Sequence, residues 1–142
     1  MEIPLIITGN CSTDDRGKLL YNNSFNASEI KRIYVIENKD TAFIRAWRGH
    51  RIEQRWFSAI TGNFEVKLIA VDSWDNPTKT LQQLVFELSS ERMDVLHIPA
   101  GYISSIQAKT AGAKLLVMAD YMLGEVKDEY RFDTDYFNKL IE

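Results

Sequence analysis

The chain has 142 residues, with 17 basic and 20 acidic side chains, a formal charge of −3, and a hydrophobic share of 45% that includes 11% aromatic residues. This suits one packed domain over residues 1–142 and excludes a disordered chain; the acidic balance also excludes a general nucleic-acid binder, which needs net positive charge to displace counterions. One cysteine, Cys11, allows neither an internal disulfide nor a Cys-rich zinc site and points to a reduced, cytoplasmic setting.

In chain order, strand-like runs occupy residues 3–7, 18–22, 30–36, 43–47, 52–60, 64–71, 81–88, 95–98, 102–108 and 114–121. They are short, rich in Ile, Val, Phe, Tyr and Trp, and bounded by turn residues such as Thr61-Gly62-Asn63 and Pro99-Ala100-Gly101. This spacing predicts an all-β sandwich or barrel. A short C-terminal helix is predicted after Asp133 or Thr134, running through Tyr136, Phe137, Leu140 and Ile141. The N-terminus lacks a basic region and a long apolar run, so neither a signal peptide nor a membrane span is expected. The Asn-x-Ser triplets at Asn10, Asn22 and Asn26 then read as accidents of an Asn-rich stretch.

Alternation assigns faces. From His50 onward one face carries His50, Ile52, Gln54, Trp56, Ser58 and Ile60, and the other Arg51, Glu53, Arg55, Phe57 and Ala59. The first is expected to face inward; its His and Gln among aromatics suggest a pocket within a barrel. Phe64, Val66, Leu68 and Ala70 read as plain core, with Glu65 and Lys67 outside.

The densest chemistry lies in residues 45–55, which hold four of the eight arginines and one of the two histidines. Arginine suits phosphate because its planar fork gives paired, charge-assisted hydrogen bonds and stays charged. Arg51 and Arg55, alternating with Glu53, read as a solvated face. Arg45 and Arg48 flank Trp47 and run into Gly49-His50, which makes them candidates for a functional role.

Several segments carry a resemblance. Asp14-Asp15-Arg16-Gly17, Ile30-Lys31-Arg32-Ile33-Tyr34, Arg45-Ala46-Trp47-Arg48-Gly49-His50 with Gln54, Gly62-Asn63-Phe64, Ile98-Pro99-Ala100-Gly101, the run 115–121, and Tyr130-Arg131-Phe132-Asp133 with Tyr136-Phe137 occur in this order. Together they resemble the cupin-fold enzymes acting on dTDP-linked 4-keto-6-deoxyhexoses, most closely the sugar 3,4-ketoisomerases (WxcM-like proteins) and more distantly the dTDP-4-dehydrorhamnose 3,5-epimerases. The resemblance spans nearly the whole chain and implies a cupin-type double-stranded β-helix, or jelly-roll barrel.

In that branch the central motif is Arg-Gly-x-His-x-His. Laid on this chain, its arginine falls on Arg45, its glycine on Ala46, its first histidine on Arg48 and its second on His50. The interval from His50 to Gln54 is one residue shorter than in the usual pattern. The epimerase base aligns with Arg48, so the epimerase mechanism lacks its base here. Metal-binding cupins place ligands at positions matching Arg48, His50, Gln54 and Ser104; an arginine has no lone pair to donate, so neither metal nor cofactor is expected.

The resemblance implies a 3,4-ketoisomerase acting through an enediol, with His50 as base and Tyr34 managing an oxygen proton. Arg48 would stabilise the enediolate and lower the pKa of His50. Tyr34 reads equally as a buried strand tyrosine. Arg16 and Arg45 are implied at the pyrophosphate, although Arg16 also reads as a lock on the first turn. Gln54 and Tyr121 are placed near the sugar, and Trp47 or Trp56 is either a thymine platform or β core; His97 reads as structural. The implied partner is a nucleotide sugar, with no nucleic acid and no membrane, and the assembly a homodimer formed by sheet extension. The alternative is a non-catalytic sugar-nucleotide-binding or partner module that has lost the first histidine. A metal-dependent cupin is a third, weaker option.

Overall fold

A computed structural model describes residues 2–138. Twelve strands form: β1 (Leu5–Ile7), β2 (Asn10–Asp14), β3 (Gly17–Tyr21), β4 (Arg32–Ile36), β5 (Ile44–His50), β6 (Arg55–Thr61), β7 (Asn63–Ala70), β8 (Leu84–Ser89), β9 (Val95–Ile98), β10 (Tyr102–Ala108), β11 (Lys114–Ala119) and β12 (Glu129–Arg131). One sheet has the order β1-β9-β6-β11-β4 and the other β12-β5-β10-β7-β8, while β2 and β3 make a separate hairpin. Strands β4 to β11 thus pass back and forth between two antiparallel sheets, which is the jelly-roll arrangement of a cupin.

Three apolar clusters hold this together. Between the sheets lie Phe57, Ala59, Phe64, Val66, Leu68, Leu96, Ile106, Leu115 and Val117 among others. On the outer face of the β5-β10-β7 sheet, Trp47, Ile69, Ile103 and Phe137 pack together. On the outer face of the other sheet, Trp56, Val95 and Met118 are covered by Ile7, Phe25 and Ile30 from the N-terminal segment. Both faces of the central strands are therefore buried.

This double burial corrects the inward face read from the sequence. The segment 51–54 is not strand but a bend between β5 and β6, and it shifts the phase of β6 relative to β5. Phe57 and Ala59 face the interior, whereas Trp56 lies on the outer face, stacked on His97 at 5.0 Å. Arg55 and Glu53 are buried rather than solvated, and Ile60 is exposed.

Two strands escape the sequence pattern: the polar, exposed β2 and the three-residue β12. The described residues contain no helix, which corrects the expected C-terminal one. Instead the Tyr136 N–H donates to the Asp133 carbonyl at 2.9 Å in a single turn, and Thr134 Oγ1 donates to the Ala46 carbonyl at 3.3 Å. That turn delivers Phe137 edge-on to Trp47 at 5.4 Å. Leu140 and Ile141 of the expected helix lie outside the described residues. No helix of the described residues is long and apolar enough to cross a membrane.

Candidate functional site

One end of the barrel opens into a cavity of about 950 Å³. Strand β4 contributes Arg32 and Tyr34, β5 contributes Arg45, Arg48 and His50, β6 contributes Arg55, and the segment 122–128 forms part of the wall. Arg32 and Tyr34 are two apart on one strand and so share a face, and the Arg32 guanidinium lies 4.5 Å from the Tyr34 ring centroid.

A β-bulge lets three polar side chains of β5 reach the same cavity. Ser104 pairs with Arg48 and Ile106 with Arg45, so three steps along β5 span two along β10. Ala46 and Trp47 both pack outside, and Arg45, Arg48 and His50 all turn in. Gly49, between the last two, lies where β10 approaches so closely that a Cβ would collide with the Tyr102 carbonyl. The residue is glycine because the strand has no room for anything larger.

His50 sits in a buried charge network. Arg55 Nη2 lies 3.0 Å from His50 Nε2, and Arg55 Nη1 donates to Glu53 Oε1 at 3.1 Å. Arginine only donates, so Nε2 is the acceptor and carries no proton. His50 Nδ1 lies 3.1 Å from the Asp128 carbonyl and 3.3 Å from Glu53 Oε2, both acceptors, so Nδ1 carries the hydrogen. Burial, followed by the Arg55 charge, lowers the His50 pKa below its ordinary 6.5, with Glu53 and Asp128 opposing. The imidazole is held neutral. Arg55, not Arg48, is the arginine in contact; Arg48 instead faces Glu129 at 3.9 Å.

The network is anchored from a distant part of the chain. The Asp128 carboxylate, 4% exposed, accepts the N–H groups of Arg51 at 3.0 Å, Ile52 at 2.7 Å and Glu53 at 2.7 Å. These bonds fix the bend between β5 and β6, and with it the approach of His50 to Arg55. No local motif announces Asp128; the contact spans about 75 residues of sequence.

Arg45 and Arg32 differ from Arg48 and Arg55. Among the described residues neither has a carboxylate within ion-pairing distance. Arg45 Nε donates to Asn38 Oδ1 at 3.1 Å, and buried Asn38 Nδ2 donates to the Ile106 carbonyl at 3.1 Å, so the arginine is aimed without being neutralised. Such a pair of unneutralised guanidiniums on a cavity wall suits an anionic ligand.

Of the residues singled out in the sequence, His50, Tyr34, Arg48 and Arg45 meet at this cavity. Gln54 and Trp56 do not. Gln54 Oε1 lies 2.7 Å from His97 Nε2, and its Nε2 donates to Asp120 at 3.1 Å, on the outer face with Trp56. Tyr121 stands beside Lys31, whose Nζ is 5.7 Å from the ring centroid, away from the cavity lining. Arg16 lies at the tip of the β2–β3 hairpin, paired with Asp14 at 2.7 Å and almost fully exposed. Conversely, the sequence pattern does not mark Arg32, Glu53, Arg55 or Asp128 as site residues. Of these, Arg32 is readable from its shared parity with Tyr34.

His50, Glu53 and Asp128 present donor atoms within 4.8 Å of one another. They do not fit a cation. The Asp128 oxygens already take three N–H groups, and the Arg55 guanidinium touches both His50 and Glu53, placing a fixed positive charge where an ion would sit.

Neither a protein-family model nor any curated protein matches the sequence. Solved structures do match. A mutant of the 3,4-ketoisomerase QdtA from Thermoanaerobacterium thermosaccharolyticum, in complex with TDP-4-keto-6-deoxyglucose, superposes with a TM-score of 0.71 at 21% identity, over 94% of this chain and 90% of that one. This is the fold of the sugar 3,4-ketoisomerases. The WlaRB TDP-quinovose 3,4-ketoisomerase from Campylobacter jejuni gives 0.70 at 21% identity, over 96% of this chain and 98% of that one. The dTDP-4-dehydrorhamnose 3,5-epimerase of Bacillus anthracis, with TDP and PPi bound, gives 0.67 at 12% identity, over 94% and 75%. At these identities the likeness is one of fold.

Proposed function

We propose that residues 1–142 act as a single cupin domain that isomerises a nucleotide-activated, dTDP-linked 4-keto-6-deoxyhexose without a metal, in deoxysugar or surface-polysaccharide biosynthesis. The observation that carries this reading is the neutral His50 beside the unneutralised Arg45 and Arg32 in one cavity of an isomerase-type barrel. The two arginines receive the diphosphate. His50 Nε2 takes the C3 proton, the electron pair forms an enediolate across C3 and C4, and Arg48 supports the negative oxygen. Tyr34 carries the proton from O3 to O4; return of a proton to C4 leaves the carbonyl at C3. No co-reactant is consumed.

The test is incubation with dTDP-4-keto-6-deoxyglucose in D2O, followed by NMR of the ring protons. Deuterium at C4 of a new 3-keto sugar, and at C3 of substrate recovered through the reverse reaction, is expected, and both are lost in His50→Asn. Their absence from the wild-type reaction overturns the reading. A chelator leaves the reaction unchanged. A second reading, a binding module without turnover, is favoured by the Arg55 hydrogen bond that already engages His50 Nε2. Tight dTDP-sugar binding in calorimetry with no exchange selects it.

The same proposal places the protein in the cytoplasm as a homodimer. Cys11 is unpaired, in keeping with a reducing compartment, and edge strand β1, with exposed Leu5 and the exposed Ile3 just before it, is available for sheet extension. Light scattering reads the mass directly.

A further inference from the structure

Any chemistry at His50 Nε2 has to begin by freeing it. Its lone pair accepts a hydrogen bond from Arg55 at 3.0 Å, and Arg55 is itself buried and tied to Glu53 at 3.1 Å. We propose that Arg55 is a positioning residue for His50, holding the imidazole as the Nδ1–H tautomer and covering the Nε2 lone pair until a ligand oxygen in the cavity draws the guanidinium away. The base role of His50 rests on the isomerase reading; the tautomer and the cover do not.

The geometry fixes the sequence of events. When Nε2 takes a carbon-bound proton, His50 becomes a cation with N–H donors at both nitrogens, and an Arg55 donor at 3.0 Å then faces another donor. That contact is therefore broken before Nε2 takes the proton, and the released Arg55 donor finds its acceptor in the ligand oxygen that draws it away. Glu53 accepts from Arg55 Nη1 and lies 3.3 Å from His50 Nδ1, so its carboxylate stays between the two cations.

Among the surrounding groups, Arg55 is the one that engages Nε2. The bend contributes Glu53, and the segment before β12 contributes the Asp128 carbonyl and carboxylate. From β12, Glu129 is directed at Arg131 at 2.8 Å and Arg48 at 3.9 Å. From β10, the Tyr102 hydroxyl donates to the Glu2 carbonyl at 3.1 Å. Glu129 also acts on His50 electrostatically, and Arg55 is the cation in hydrogen-bond contact with its ring.

Three readouts test the assignment. Imidazole 15N NMR of the ligand-free wild type at neutral pH is expected to show a protonated Nδ1 and an unprotonated Nε2; a protonated Nε2 overturns the proposal. In Arg55→Met the His50 titration midpoint is expected to rise by about one pH unit, and carbethoxylation of His50 by diethyl pyrocarbonate, mapped by peptide mass with His97 as internal control, to speed up about tenfold. An unmoved midpoint together with a modification rate within twofold of wild type overturns it. Because Arg55→Met strands Glu53, Arg55→Lys provides a second variant: it restores the cation, and the midpoint returns toward the wild-type value. The low-pH limb of C3 deuterium exchange is expected to move upward with the midpoint, which a purely structural loss would not cause. Should the wild type show the expected tautomer and cover yet exchange no deuterium, the isomerase reading falls and the Arg55 assignment stands.

Discussion

Removing the carboxylate of Asp128 tests whether a side chain from the C-terminal segment holds the site together. Its two oxygens accept three backbone N–H groups at 2.7 to 3.0 Å from a position that is 4% exposed. Hydrogen bonds to a charged acceptor contribute about 1.5–3 kcal/mol each, against about 1 kcal/mol for neutral ones. Asparagine keeps one oxygen, which serves Ile52 and Glu53 but presents its NH2 to the Arg51 N–H, so one bond is lost and two lose their charge. We expect Asp128→Asn to cost about 2–3 kcal/mol and Asp128→Ala, which abandons all three donors in a poorly hydrated bend, about 4–5 kcal/mol. For a chain of 142 residues the unfolding entropy is roughly 0.3 kcal/mol per degree, so Tm should fall by about 7–10 °C for the asparagine variant and by more for alanine. Calorimetric melting with urea titration as a second probe measures both. An asparagine variant within about 0.5 kcal/mol of wild type, or an alanine variant no worse than it, would refute the anchoring argument.

Gly49→Ala should destabilise by about 2–4 kcal/mol, because the new methyl meets the backbone of Tyr102 and Ile103 rather than a movable side chain; urea unfolding reads the loss. His50 and His97 both have pKa values lowered from 6.5, chiefly by burial, so the unfolded chain binds protons first as pH falls. Stability is thus level above about pH 6.5 and declines as pH drops through that value toward the folded-state pKa values; a flat profile from pH 7.5 to 5.5 would contradict this. Arg45→Met should weaken TDP binding about 10- to 100-fold in calorimetry by removing one charge-assisted contact, while the His50 titration midpoint stays put.

The strands were largely legible in the sequence because each central one is a short apolar run between turn residues. Alternation failed to give the facing of β6, where five consecutive residues from Arg55 to Ala59 are buried. Period-two patterning reports a face only where the opposite face is wet, and here the outer face is covered by the N-terminal segment. The polar β2 and the three-residue β12 carry no pattern at all; each exists because a neighbouring strand offers it hydrogen bonds. Within the site, Arg45, Arg48 and His50 stood out as a local cluster, and Arg32 shares the parity of Tyr34. Asp128 could not have been found this way, since its role is defined only by where the fold places the bend at 51–54.

The bulge in β5 makes the character of the barrel mouth a matter of chain count. With two residues, Ala46 and Trp47, spent on the outer face, the strand re-enters the cavity one position late, and Arg48 and His50 arrive inside. Were the same six residues drawn out as a regular strand from Arg45, Trp47 and Gly49 would point into the hollow. Arg48 and His50 would then be delivered to the greasy exterior layer beside Ile69 and Phe137. A strand one residue shorter between Arg45 and Arg48 would need no bulge to keep all three polar side chains inside. The bulge therefore behaves as a frame-correcting insertion: the charge lining the barrel is governed by how the chain absorbs one extra residue as firmly as by which residues it carries.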